Sequence, residues 1–354
     1  MSPLSLVRED LRGFTGYSSA RREAHGGRVL LNANECPWAA AGNLALNRYP
    51  EPQPAALRAR LADLYGVDES RLLIGRGSDE PIDLLVRALC RAGRDAVLTT
   101  PPTFGMYAVS ARIQDAALQT VPLSAANGFA LDLDAVLAAL DERTRIVFVC
   151  NPNNPTGHAV PDADLRRLAE RIAGRALLVI DEAYAEFADA PSGIALATEF
   201  AHVAVLRTLS KAYALAAARI GVLIADPALI DVLRSIMAPY PLPAPCVEAA
   251  LQALRPEAVR LARSRIALIR EERERIRAAL SASPEIDAVF ASQANFLLLR
   301  CGDATALYQR ALAAGIVLRD VSGQPGLAQC LRVSIGTPAE NDQLLALLCA
   351  RGRA

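Results

Sequence analysis

Short apolar or β-branched runs alternate with helix-spaced amphipathic stretches along most of this chain. That pattern predicts an α/β fold with a mainly parallel sheet. Strands are expected at residues 71–74, Ala96–Thr99, 145–150 (RIVFVC), 176–180 (ALLVI) and 203–207, with a helix over 79–92. A run as continuously apolar as 176–180 belongs to a strand covered on both faces. Residues 221–225 (GVLIA) are expected to return to the sheet antiparallel. At 238–245 (APYPLPAP) four prolines in eight residues exclude a helix interior or a central strand. A long Arg/Glu-rich amphipathic helix comes next, about 256–282, and then short strands near 295–299 and 331–335 flanking another helix. The chain therefore divides into an N-terminal arm, 1–40, expected to pack with the small domain; a large domain, 41–240; and a smaller α+β domain, 241–354.

Composition narrows the function. The length of 354 residues suits about two domains, and 38 basic residues balance 38 acidic ones. Without a basic excess the chain is not expected to bind nucleic acid. The best apolar run, 212–225, is short and broken by Arg219, so no membrane partner is expected. The N-terminus carries Arg8, Glu9, Asp10 and Arg12 and lacks the apolar core of a signal peptide, so a cytoplasmic location is expected. Seven cysteines form no CxxC pair and three histidines stand far apart, which suggests neither a disulfide framework nor a metal site.

The 38 basic residues are 37 arginines and one lysine, Lys211. Arginine keeps its proton in a protein, whereas lysine can lose it and act as nucleophile or base. The one position that kept lysine is a candidate for amine chemistry.

Ligands of open parallel sheets bind beyond the carboxyl ends of the strands. Asn151-Pro-Asn-Asn-Pro-Thr-Gly157 follows one expected strand, and Asp181-Glu-Ala-Tyr184 the next. Thr208-Leu-Ser210-Lys211 and then Arg219 follow a third. The spacing of roughly thirty residues is that of βαβ units. Taken singly, each cluster also reads as a turn, a helix cap or chance. Together, an amide, a carboxylate with a phenol, and a hydroxyl with an amine converge on one rim. Gly75-Arg-Gly-Ser-Asp-Glu-Pro81 follows another strand and opens a helix. Its N–H groups and the Ser78 hydroxyl could cradle a phosphate, and equally the motif is an ordinary helix cap. It is neither GxGxxG nor a Walker loop.

NPNNPTG, DEAY and TLSKAYALAAARIG resemble the fold-type I pyridoxal-phosphate (PLP) aminotransferases, and within them the histidinol-phosphate aminotransferase family. GYSSARR (16–22), LNANE (31–35), NRYPEPQP (47–54), RGSDEPIDLL (76–85), PPTFGMY (101–107), MAPYPL (237–242), VLRD (317–320) and CLRVSIGT (330–337) extend the resemblance over essentially the whole chain. It implies a large domain with a seven-stranded, mainly parallel sheet, and PLP as cofactor. Lys211 would hold PLP and move the substrate proton; Asp181 would pair with the pyridine nitrogen; Asn154 and Tyr184 would bond the ring 3′-oxygen. Tyr107 would stack on the ring. Ser78, Asp79, Thr208 or Ser210, and Arg219 would bind the cofactor phosphate, with Tyr49 reaching it from the neighbouring subunit of a homodimer. Arg332 would grip the donor's α-carboxylate. Tyr17 and Arg319 would contact the substrate phosphate or the donor's distal carboxylate, and Asn34 belongs to the matching LNANE segment as a substrate-binding candidate.

The implied reaction transfers the amino group of L-glutamate to imidazole-acetol phosphate, giving L-histidinol phosphate and 2-oxoglutarate. Alternatives are an aromatic aminotransferase, a phosphothreonine decarboxylase-like PLP enzyme, and a non-catalytic nucleotide-binding module built on the 75–81 loop. Two departures stand out. Ala214-Leu-Ala-Ala-Ala218 replaces a stretch that usually holds glycine, so residue 217 must keep a negative φ. Phe104 stands where tyrosine is common.

Overall fold

The computed structural model describes residues 2–16, 29, 31–40 and 46–349. In chain order the elements are α1 (Ala55–Tyr65), β1 (Leu72–Arg76), α2 (Asp79–Leu89), β2 (Ala96–Thr99), α3 (Met106–Ile113), β3 (Ala117–Thr120), α4 (Leu133–Ala139), β4 (Thr144–Cys150), α5 (Asp162–Ile172), β5 (Leu177–Asp181), α6 (Ile194–Glu199), β6 (Val203–Thr208) and β7 (Ile220–Ile224). Then come α7 (Pro227–Ile236), α8 (Ala244–Ala253), α9 (Pro256–Ser281), β8 (Ile286–Val289), β9 (Phe296–Cys301), α10 (Ala304–Ala313), β10 (Arg319–Asp320), β11 (Cys330–Ser334) and α11 (Pro338–Cys349).

The first seven strands form one sheet in the order β1-β7-β6-β5-β4-β2-β3. Only β7 runs against the others, as its GVLI sequence suggested. Successive side chains of a strand point to opposite faces. In β5, Leu178 and Ile180 face one apolar layer with Leu165 and Leu168 of α5, and Leu177 and Val179 face the other with Leu85 of α2 and Leu229 of α7. Both faces are covered, so these strands read as unbroken apolar runs.

Some boundaries moved. The helix begun at Asp79 ends at Leu89, because Cys90 turns extended and Gly93 takes φ +66° in the turn beyond it. Edge strand β3 carries ALQT, largely exposed, and offers no apolar run to read. Residues 6–8 of the N-terminal arm pack on the large domain. Leu6 and Val7 fill the layer over α2 and α7, and the Arg8 N–H donates to the Ala88 carbonyl at 3.0 Å.

The second sheet, β10-β11-β9-β8, is antiparallel and packs on Ile276 and Leu280 of α9 and on α11. Leu242, Ala250 and Leu254 belong to the core of the large sheet. The chain therefore crosses to the second sheet along α9, later than residue 240. A proline run ends secondary structure locally, but burial decides which core a segment joins.

Candidate active site

Five strands deliver the site. β1, β2, β4, β5 and β6 point the same way, so the loops after Arg76, Thr99, Cys150, Asp181 and Thr208 open on one edge of the sheet. One cavity there is lined by Ser78, Asp79, Phe104, Cys150, Asn154, Asp181, Tyr184, Ser210, Lys211 and Arg219, with Thr208 at its base.

Asp181 is buried at the tip of β5. Its Oδ2 accepts from the Tyr107 hydroxyl at 2.7 Å and its Oδ1 from the Ala183 N–H at 3.2 Å. Burial raises its carboxyl to about 6, against the lowering pull of those two bonds. Opposite, burial pulls the Lys211 ammonium down, helped by the guanidiniums of Arg332 and Arg219. An amine so placed deprotonates more readily than an ordinary lysine. Its Nζ lies 5.7 Å from the centre of the Tyr184 ring. Tyr184 packs edge-on against Phe296 of β9, and burial raises its phenol.

The Arg219 end of the cavity is built by close backbone approach. Gly77 has φ +73°, and a Cβ there would lie 2.3 Å from Arg219 Nη2. A Cβ on Gly221 would lie 2.1 Å from the Gly77 carbonyl carbon. Two glycines thus let β7, the Ser78 turn and the Arg219 guanidinium share one space. Ser78 caps α2 without using its hydroxyl to do so. The Asp79 carboxylate pairs with Arg219 at 3.0 Å, which leaves to an anion the N–H groups of the first helical turn. The Thr208 hydroxyl donates to Ser210 Oγ at 2.9 Å and so orients that serine. Ala217 lies in a single 3-10 turn, Ala216–Ala218, without positive φ; Ala214 and Arg219 take the left-handed turns instead.

Tyr107 is not a ring neighbour of the cavity. It is the second residue of α3, fully buried, stacked on Phe148 at 4.5 Å between ring centres. Phe104, just before the helix, lines the cavity in its place. The two positions differ because a helix turns Tyr107 onto the core face. The rule that ligands sit beyond strand ends points to the residue nearer the end of β2, and so to Phe104.

On the small-domain side, Arg332 Nη1 donates to Asn154 Oδ1, and its guanidinium lies 5.2 Å from the centre of the Phe296 ring. Arg319 is its partner across the β10–β11 ladder and is exposed. Tyr49 stacks on Tyr240 at 4.4 Å within the same chain. Asn34 is exposed, with φ 54°. Tyr17 lies outside the described residues.

One cluster escaped the sequence reading. Behind Asp181, buried Arg207 of β6 binds Glu182 at 2.6 Å and Glu186 at 2.7 Å and lies over the Tyr65 ring. It braces the segment after β5. An arginine inside an otherwise apolar strand was the available signal.

The cavity fits PLP. The buried Asp181 carboxylate meets hydroxyl and N–H donors but forms no ion pair among the described residues. A cationic ring nitrogen would complete it.

Residues 28–348 match the family model of aminotransferase class I and II. The chain belongs to that family of aminotransferases. Its relatives include the histidinol-phosphate aminotransferase of Stenotrophomonas maltophilia, 55% identical over 99% of this chain and 98% of the relative, and that of Xanthomonas euvesicatoria, 52% identical over 98% and 97%. Among solved structures, the histidinol-phosphate aminotransferase from Sinorhizobium meliloti in complex with pyridoxal-5′-phosphate is 30% identical, with TM-score 0.75 over 86% of this chain and 82% of that one.

Proposed function

We propose that this chain is a PLP-dependent transaminase acting on L-glutamate and imidazole-acetol phosphate, yielding L-histidinol phosphate and 2-oxoglutarate in histidine biosynthesis. The observation that carries the reading is the chain's single lysine lining one cavity with a buried carboxylate that pairs with no cation among the described residues. The relatives at 52–55% identity support the choice of substrates. PLP would be held by Lys211, Asp181, Asn154, Tyr184, Ser78, Ser210 and Arg219, and when bound it supplies a sink for the electrons left at Cα.

The protein's own groups do the rest. Asp181 keeps a proton on the ring nitrogen. Asn154 and Tyr184 donate to the ring oxygen, and Phe104 covers a ring face. Lys211 Nζ, lowered toward its neutral form, takes the proton from the donor's Cα. Arg332 binds the α-carboxylate, and Arg319 with Tyr17 binds the distal anion. The active form is a cytoplasmic homodimer in which Tyr49 serves the neighbouring subunit's site.

A donor panel tests this reading. Histidinol phosphate should convert bound PLP to its amine form far faster than histidinol or aromatic amino acids. Arg319→Ala should penalise the phosphorylated donor selectively, by ~1.5–3 kcal/mol in kcat/KM. Lys211→Arg should abolish turnover and the lysine–cofactor linkage trapped by borohydride. Preference for an aromatic donor, or loss of carbon dioxide from phosphothreonine, would transfer the chain to a sister activity.

A further inference from the structure

Tyr107 is the one phenol on α3 that reaches the site, and it reaches it only through another residue. Its ring is locked by Phe148, stacked at 5° between planes, and by Phe104, edge-on at 5.6 Å. That packing aims the hydroxyl at Asp181 Oδ2, where it donates at 2.7 Å. Among the described residues the other donor to this carboxylate is the Ala183 N–H, at the longer distance of 3.2 Å on Oδ1.

We propose that Tyr107 is a positioning residue acting through Asp181: its O–H stabilises the ionised carboxylate, so that the proton shared with the cofactor's ring nitrogen stays on nitrogen. The inference rests on the reading in which Asp181 faces that nitrogen.

The surroundings otherwise oppose the charge. Burial favours the neutral acid, and Asp79 and Glu182 add repulsion. A buried carboxylate without donors is a stronger base than one that accepts a hydrogen bond from a phenol. Remove the donor, and the neutral pair of carboxylic acid and pyridine gains over the ion pair of carboxylate and pyridinium. The ring then withdraws electrons less well. Tyr107 thus sets the cofactor's acidity without touching cofactor or substrate, while Phe104 provides the ring contact.

Tyr107→Phe removes one oxygen and keeps the aromatic stack. The test reconstitutes the wild-type and variant holoenzymes with PLP labelled with nitrogen-15 in the ring and reads the nitrogen shift at one fixed pH. Expected are a pyridinium-like shift in the wild type and a clear move toward unprotonated pyridine in the variant. kcat should fall roughly 10- to 100-fold, with KM within about twofold. Should Tyr107→Phe fold poorly, 3-fluorotyrosine placed at 107 keeps the packing and donates more strongly; it must leave the nitrogen protonated. A variant that melts earlier but keeps the pyridinium shift has lost only packing, and overturns the proposal. Wild-type protein that takes up no PLP, or holds it with an unprotonated ring, overturns the underlying reading and this inference with it. Wild-type protein with a protonated ring and a Tyr107→Phe variant equally protonated overturns this inference alone.

Discussion

Arg332 of β11 hydrogen-bonds Asn154 at the end of β4, tying the small sheet to the loop that edges the large one. Its Nε is buried without a partner among the described residues, and its ladder neighbour is a second arginine, Arg319. A half-buried guanidinium held by a neutral amide is ready for a carboxylate, which can take two parallel hydrogen bonds. Arg332→Gln should lower kcat/KM for glutamate by ~1.5–3 kcal/mol, roughly 10- to 150-fold. Steady-state kinetics measures this. A parallel titration should show PLP affinity changed by much less; if affinity collapses while glutamate kinetics hold, the arginine serves the cofactor instead.

Asp181 gives a pH dependence. In the cofactor-free chain its carboxyl titrates near 6, raised by burial from its ordinary 3.8. A raised value means the folded state binds the proton more tightly than the unfolded one. The stability from that proton is full below about pH 4 and is lost as pH rises through 6, about 3 kcal/mol in all. Asp181→Asn lacks this titration. Cofactor-free Asp181→Asn should therefore gain on the wild type between pH 4 and pH 7 in urea midpoints. Parallel pH curves for the two would mean the carboxyl is not strained by burial.

Gly77→Ala should weaken the hold on the cofactor phosphate. The added methyl would collide with Arg219, and φ +73° costs an alanine about 1–2 kcal/mol. PLP dissociation, followed by absorbance, should rise roughly tenfold or more. Unaltered affinity would show that Arg219 does not bind the phosphate.

Subunit exchange tests Tyr49. Tyr49→Phe is first required to weaken PLP retention alone. Mixed with Lys211→Ala and allowed to exchange, it should recover activity toward one working site per dimer, since one site then carries both defects and the other neither. Tyr49 stacks on Tyr240 in its own chain and lies in an extended segment that Pro50 keeps from helix. No recovery would place the phenol in its own subunit's site.

Much of the site is legible in the chain itself. Strands buried on both faces must be continuously apolar, so 145–150 and 176–180 stand out, and the polar residues at their carboxyl ends mark the rim. Lys211 needs no structure to be noticed among 37 arginines. Tertiary packing decided the rest. Tyr107 and Phe104 lie three residues apart, and only the turn of α3 sends one to the core and the other to the cavity. Leu6 and Val7 find α2 and α7, and Leu254 stays with the large sheet, through contacts that leave no local periodicity. Arg332 meets Asn154 across 178 residues of chain. Periodicity reports how a segment meets its own neighbours and water. Which distant surface completes it is settled by the shape and burial of the folded whole.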